Sequence, residues 1–357
     1  MENKKWRVLP ENQCRILERE RNGLTREGIS HLHEMEKMLQ DPDAVRDVDH
    51  KQLRYLREFR KMKLTVPMLF KAPVEPRAYY RHLSRFCVLH DIPDEIISRL
   101  VPSLLIYIET GHMRPLLFVG EKGCGKTTAV QMLFGEALQL PTKVIKIPQL
   151  NGGHGMTGDC GIYRSADLGE LGKARVQAHS LILAYIFDEI DKVPQGKNGS
   201  LDDELLSVTD ESNVHIYENY LETDLVGLNY CPMLFTANDI QNVNPILADR
   251  CTVIHFPDAS RTRLKSILSK YTRKMLESPI YDLIAFNFEI MERYVDRLVD
   301  RGVTSIRRHQ QLVEAVVADA LDVALKQKTI QVQSVTEEMF QKAEDEVLGG
   351  VKRRIGF

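Results

Sequence analysis

Leu116-Leu117-Phe118-Val119-Gly120-Glu121-Lys122-Gly123-Cys124-Gly125-Lys126-Thr127 runs directly into Thr128-Ala129-Val130-Gln131-Met132-Leu133-Phe134. Its first four residues are apolar and read as a buried strand, and the run from Thr128 reads as a helix. Between them, Gly120 to Thr127 fit the phosphate-loop pattern G-x-x-x-x-G-K-[ST]. The chemistry requires this order. Glycines let backbone N–H groups approach phosphate oxygens with no Cβ in the way, and the helix N-terminus adds the positive end of its dipole. Lys126 supplies a point charge to the β- and γ-phosphates, and Thr127 offers a hydroxyl to Mg²⁺. The ligands predicted are therefore ATP and Mg²⁺, held by Gly120, Glu121, Lys122, Gly123, Cys124, Gly125, Lys126, Thr127 and Thr128. Cys124 has two readings, an oxidation-sensitive thiol and a small residue tolerated at a variable loop position.

Outward from this loop, residues 115 to 256 alternate short β-rich runs with helical segments. Lys143–Ile147, Leu181–Phe187, Met233–Thr236 and Thr252–Phe256 join Leu116–Val119 as strands. Near-continuous apolar strands separated by helices imply an α/β fold with a parallel sheet covered on both faces. The strand ending at Phe187 runs into Asp188-Glu189-Ile190-Asp191. An acid at the carboxyl end of a buried strand, about 60 residues after the phosphate loop, suits a metal-holding Asp188, and Glu189 beside it suits a general base. A binding-only site would need the first acid but not the second. The strand at Met233 ends in Thr236-Ala237-Asn238-Asp239. Asn238 lies between Asp188 and the phosphate loop if the two strands flank the loop, where it can sense the γ-phosphate and orient water; the other reading is a turn-forming Asn. Asp249-Arg250 precedes the last strand, and Arg250 is a candidate trans finger that reaches a neighbouring subunit's nucleotide.

The flanks are helical. Leu53, Leu56, Phe59 and Met62 form one apolar stripe, with Arg54, Arg57, Arg60, Lys61 and Lys63 around it. This helix reads as a packing helix with a solvated basic face, or as a contact for nucleic acid or an acidic partner. Residues 1 to about 70 read as helical and highly charged, and the three prolines between Thr65 and Pro76 read as a linker. After Pro257 helical spacing returns at Leu264–Tyr271, Ile290–Leu298 and Ser305–Lys326. The expected organisation is an N-terminal helical region and linker over 1–85, a nucleotide-binding α/β domain over 86–258 and a helical lid over 259–357. With 43% hydrophobic and 27% charged residues, the 357-residue chain has the composition of a globular protein. Its net charge of −2 gives no global attraction to nucleic acid or anionic membrane. No apolar run has the length of a membrane span, and the N-terminus lacks a secretory apolar core, so a cytoplasmic location without membrane contact is expected. Six cysteines with no CxxC pair argue against a zinc site or a disulfide framework.

The order of phosphate loop, Asp-Glu strand, Asn-ended strand, Asp-Arg and helical lid resembles an AAA+ ATPase module, and among these it is most similar to the ATPase portion of Lon proteases. Four stretches carry the likeness. Gly158 to Lys173, containing Tyr163, is similar to the segment bearing Lon's substrate-gripping aromatic pore loop. Ile186 to Lys192 resembles that family's Asp-Glu strand. Asn213-Val214 and Tyr220-Leu221-Glu222-Thr223-Asp224 resemble its hairpin. Ile246 to Ile254 resembles its arginine-finger segment. The resemblance covers roughly residues 90 to 345 and implies a homo-oligomeric ring, a hexamer, with ATP between subunits. Two features depart from it. Thr304 stands in Gly302-Val303-Thr304-Ser305-Ile306-Arg307 where the family carries a sensor arginine, and Arg307 or Arg308 is the candidate replacement. Only about fifty residues follow this motif, so the expectation is a Lon-type motor with no peptidase of its own, working with a separately encoded effector.

Three functions follow. One is a remodeller that threads a macromolecule past Tyr163 in a ring. The second is a nucleic-acid-dependent ATPase such as a loader, mobile-element or defence component, favoured by the basic helix and by Lys352-Arg353-Arg354. The third is a slow nucleotide-dependent scaffold or switch, favoured by the absent lid arginine.

Overall fold

Leu116–Val119 (β1) has all four residues buried, as its composition predicts. The structure, a computed structural model, describes residues 6–8, 23–62, 65–67, 76–150, 155–160, 166–193, 201–210, 215–326 and 331–352. Thr142–Lys146 (β2), Ala184–Asp188 (β3), Met233–Ala237 (β4) and Thr252–His255 (β5) join β1 in a five-stranded sheet ordered β2-β3-β4-β1-β5. All four pairings are parallel. The predicted α/β fold is therefore present. Its register matters for function. Phe187 pairs with Phe235, and Val119 pairs with both Ala237 and His255, so the carboxyl ends of β3, β4 and β1 lie along one edge. In open parallel sheets that edge is where ligands bind.

The chain divides into two compact units, Met1–Val119 with Lys126–His255, and Gly120–Gly125 with Phe256–Phe357. The first unit holds the sheet and its helices. These are Arg26–Met38 (α1), His50–Lys61 (α2), Pro76–Leu89 (α3), Asp94–Thr110 (α4), Lys126–Gln131 (α5), Glu170–Ala178 (α6), Leu201–Val208 (α7) and Pro245–Arg250 (α8). Beyond α5 the backbone widens into a π-helical turn, Met132–Ala137, with Leu133, Phe134 and Ala137 buried. The N-terminal helices begin on caps that also bond outward. Asp49 accepts from the N–H groups of Lys51 and Gln52 at the start of α2, and from the Tyr220 hydroxyl at 2.7 Å. Thr25 caps α1 and shares a hydrogen bond with the Thr223 hydroxyl. Leu53, Leu56, Phe59 and Met62 are all buried, while Arg54, Arg57, Arg60 and Lys61 are exposed. The basic residues thus form the outer face of a packing helix, and Arg57 pairs with Glu36.

The helical expectation for the first seventy residues is corrected at both ends. Trp6–Val8 and Thr65–Pro67 form a two-stranded antiparallel pair, so the start of the proline-rich segment pairs with the N-terminal segment. A single hydrophobic stripe reports the helix between them but carries no signal for two three-residue strands this far apart.

The second unit is helical: Arg261–Leu276 (α9), Phe288–Asp300 (α10), Ile306–Lys326 (α11) and Glu337–Lys352 (α12). Leu264, Leu268, Met291, Leu298, Val316 and Phe340 are among its core residues. Glu344 is buried there, and Arg297 and Arg301 both pair with it. No helix among the described residues is long and apolar enough to cross a membrane.

Candidate functional site

The loop Gly120–Gly125 belongs to the second unit, and two of its glycines are dictated by backbone shape. Gly123 and Gly125 have φ of 84° and 94°, in the region that L side chains rarely adopt. A Cβ on Gly123 would also stand 2.3 Å from Ser305 Oγ, and the Gly123 carbonyl accepts from Ile306 N at 2.9 Å. Cys124 is buried. The same Cβ position lies 3.6 Å from the Cβ of Arg307, so Arg307 starts beside the loop. Arg308 instead makes a backbone hydrogen bond to Ser305 Oγ.

In the first unit, parallel pairing of β3 with β4 assembles a hydrogen-bonded constellation. Lys126 is buried and its ammonium donates to Asn238 Oδ1 at 3.2 Å. Asn238 Nδ2 in turn donates to Asp191 Oδ2 at 3.3 Å. One position along α5, the Thr127 hydroxyl donates to Asp188 Oδ1 at 2.7 Å. The Thr236 hydroxyl donates to the same oxygen at 2.6 Å and accepts from Glu189 N at 3.2 Å. Glu189 sits in the left-handed region, φ 62° and ψ 47°, which costs a non-glycine residue about 1–2 kcal/mol. Its carboxylate pairs with Lys192 at 2.5 Å. Lys126, Thr127, Asp188, Glu189 and Asn238 are thus brought together, with β4 lying between β3 and β1.

Sequence reasoning passed over Thr236, Asp191 and Lys192. A signal for the first was available, because Thr236 is a polar residue inside an otherwise apolar strand. A hydroxyl and a carboxylate in contact are hard oxygen donors, the kind Mg²⁺ takes alongside substrate phosphates. The residues present therefore fit the metal that this arrangement implies.

Arg250 makes its described bonds elsewhere. It ends α8, which starts on the Asn244 cap with Pro245 at its first turn. Its guanidinium donates to the Leu206 carbonyl at 2.5 Å and lies 3.5 Å from Asp210 Oδ2. Arg114 donates to the carbonyls of Asp249 and Arg250, and these residues line a recess of about 250 Å³ with Thr209 and Asp210.

Tyr163 lies outside the described residues, but the stem of its segment is described. Asp159 N donates to the Asp167 carbonyl at 3.3 Å. Asn219 bonds Thr157 and Gly158, and Lys51 pairs with Asp167 at 3.0 Å. Glu218, on the hairpin of Ile216–Glu218 and Thr223–Leu225, accepts from Gly169 N at 3.1 Å and is fully buried. Desolvation pushes its carboxyl up to about 8.

Comparison with known proteins agrees with this geometry. Residues 116–258 match the family described as "ATPase family associated with various cellular activities (AAA)". Lon protease of Methanosphaera stadtmanae is 27% identical over 220 residues, covering 58% of this chain and 26% of the relative. Lon protease of Mycoplasma genitalium is 26% identical over 255 residues, 68% of this chain and 31% of the relative. Lon protease of Syntrophus aciditrophicus is 31% identical over 178 residues, 47% of this chain and 22% of the relative. The chain thus spans under a third of the length of these relatives. In fold it is similar to a closed-state cryo-EM reconstruction of Hsp104 with ATPγS and FITC-casein. The TM-score is 0.56 at 14% identity, over 74% of this chain and 51% of that one.

Residues 116–258 thus carry an AAA module. Within that family the module is Lon-like, by its likeness to the ATPase region of Lon proteases.

Proposed function

We propose that this protein hydrolyses ATP with Mg²⁺ and uses the turnover to remodel or translocate a macromolecule, as a homo-oligomeric ring in the cytoplasm acting with a separately encoded effector. In this reading residues 1–85 are an N-terminal helical region, 86–258 the nucleotide-binding domain and 259–357 the lid. The observation that carries the proposal is the bonded set Lys126–Asn238–Asp191 and Thr127–Asp188–Thr236, with Glu189 directly after Asp188 at the end of β3.

Gly120 to Thr128 bind the phosphates through backbone N–H groups and Lys126. Thr127 and Asp188 would hold Mg²⁺, and the ion would supply charge neutralisation at the phosphate oxygens. Glu189 takes the proton of the attacking water, and Asn238 orients that water. The Glu189–Lys192 pair must open for the base to work. Arg250 serves the nucleotide of an adjacent subunit, and Arg307, beside the loop, takes the place of the lid arginine absent at Thr304. Tyr163 grips the substrate.

The test is steady-state ATP hydrolysis by the purified protein with DNA, RNA or unfolded protein added, with Glu189→Gln as control. Stimulation by unfolded protein is expected, together with a Glu189→Gln variant that binds ATP and does not turn it over. Stimulation by DNA alone would replace the reading with a nucleic-acid-dependent ATPase, and turnover that no polymer stimulates would replace it with a switch.

A further inference from the structure

We infer that Thr236 is a positioning residue for both acids of the hydrolysis site, setting the metal-holding oxygens of Asp188 and the backbone of Glu189 through one hydroxyl. The inference rests on the reading of Asp188 and Glu189 given above.

Thr236 is 2% exposed, on β4 next to β3. A hydroxyl has one proton to give and lone pairs to receive. Here the proton goes to Asp188 Oδ1 at 2.6 Å, and a lone pair receives Glu189 N–H at 3.2 Å. Thr127 sends its proton to the same Oδ1 at 2.7 Å. Both described side-chain bonds to Asp188 therefore converge on one oxygen. Among the described side-chain bonds none goes to Oδ2, which leaves that oxygen for a metal's water shell.

The second bond acts on the base. Glu189 is held in a left-handed conformation that its Cβ disfavours, and such strain persists only where neighbours over-determine it. Its N–H is tied to Thr236 across the strand boundary, and its carboxylate is tied to Lys192. Of these two ties only the first is compatible with a carboxylate that must move to act on water. One hydroxyl thus keeps the metal ligand and the base in fixed relation while the Glu189 side chain is released. Residues in this supporting position around a metal typically change metal affinity or activity by 10- to 100-fold when lost.

The experiment uses the whole chain as Thr236→Val, which keeps the shape and removes the hydroxyl, and as Thr236→Ser, which keeps the hydroxyl. Mn²⁺ replaces Mg²⁺ as a paramagnetic probe, and its affinity for the protein–ADP complex is read by electron paramagnetic resonance. Fluorescent ADP binding in chelator reports the metal-free site, and kcat and KM for ATP are measured in parallel. We expect Thr236→Val to weaken Mn²⁺ binding and lower kcat, each on the order of 10- to 100-fold. Metal-free ADP affinity should stay within about twofold, because Lys126 and the loop keep their contacts. Thr236→Ser should recover most of the Mn²⁺ affinity and of kcat. Circular dichroism melts verify folding, and Thr236→Ala is read in the same way if the valine variant does not fold. Wild-type Mn²⁺ affinity without the hydroxyl overturns the inference, and so does a serine variant as impaired as the valine variant. Hydrolysis by Glu189→Gln at the wild-type rate would instead overturn the assignment of the base, and the Mn²⁺ comparison would still decide the role of Thr236.

Discussion

Replacing Glu218 by Gln should flatten the pH dependence of folding in a way that can be worked out beforehand. The carboxyl is fully buried, one oxygen accepts from Gly169 N, and Gly158 and Gly172 pack where any added Cβ would come within 3.0 Å of it. Desolvation raises it from the ordinary 4.5 to about 8, against weaker lowering by backbone hydrogen bonds and Lys173. The folded state therefore keeps a proton that the unfolded chain releases. The stability tied to that proton is fully present below about pH 4.5 and is lost as pH rises through about 8. Inside this window each pH unit costs about 1.4 kcal/mol. Between roughly pH 5.5 and 8.5 the wild type should lose about 3 kcal/mol through this group alone. Gln keeps the acceptor for Gly169 N and has no proton to lose. Urea unfolding of both proteins at intervals across that range gives a difference curve in which Asp167, Lys173 and every other titrating group cancels. A difference curve with no slope would mean that Glu218 ionises at a similar pH in the folded and unfolded states, contrary to its burial.

Lys126→Ala should abolish tight ATP binding by removing the charge that faces the phosphates, and unchanged affinity in calorimetry would reject the phosphate-loop assignment. Arg250→Ala should lower turnover by a factor on the order of 10³. Mixed with Glu189→Gln protein it should regain activity, since each variant damages a different half of a shared site. Confirmed co-assembly without recovery would mean that Arg250 acts within its own subunit. Tyr163→Ala should keep basal hydrolysis and lose stimulation by the threaded polymer. Full stimulation in that variant would return Tyr163 to an ordinary packing role.

The residues that were legible in the sequence are those whose neighbours in the chain state their environment. Leu116–Val119 is an apolar run and Met233–Ala237 is apolar but for Thr236, and both are buried strands. The phosphate loop is legible because its glycines answer a backbone need that is local to the loop. Arg175 shows the opposite case. It sits in Gly172-Lys173-Ala174-Arg175-Val176-Gln177 and reads as a solvated helical residue, yet it has no exposed surface. Its partners are the Tyr185 hydroxyl, the Val226 carbonyl and the Cys231 sulfur, ten, fifty-one and fifty-six residues away. Thr236 was missed for the same reason, because its role depends on which strand lies beside β4. Lys192 was quoted within a motif, but its pairing with Glu189 depends on the 3₁₀ turn between them, which the spacing alone does not disclose.

The stem around Asp159 and Asp167 has a mechanical consequence. Among the described residues its two arms are joined by backbone bonds from Asp159 N to Asp167, from Glu170 N to Gly155 and from Leu171 N to Met156. This stem stands on two footings of unlike material. One is the hairpin, where Asn219 and the buried Glu218 grip Thr157, Gly158 and Gly169 through short-range bonds shielded from ions. The other is α2, where Lys51 and Tyr55 reach Asp167 from a half-exposed surface. Added salt slackens the second footing and leaves the first taut. Ionic strength is therefore a dial on how stiffly this stem is moored on its α2 side.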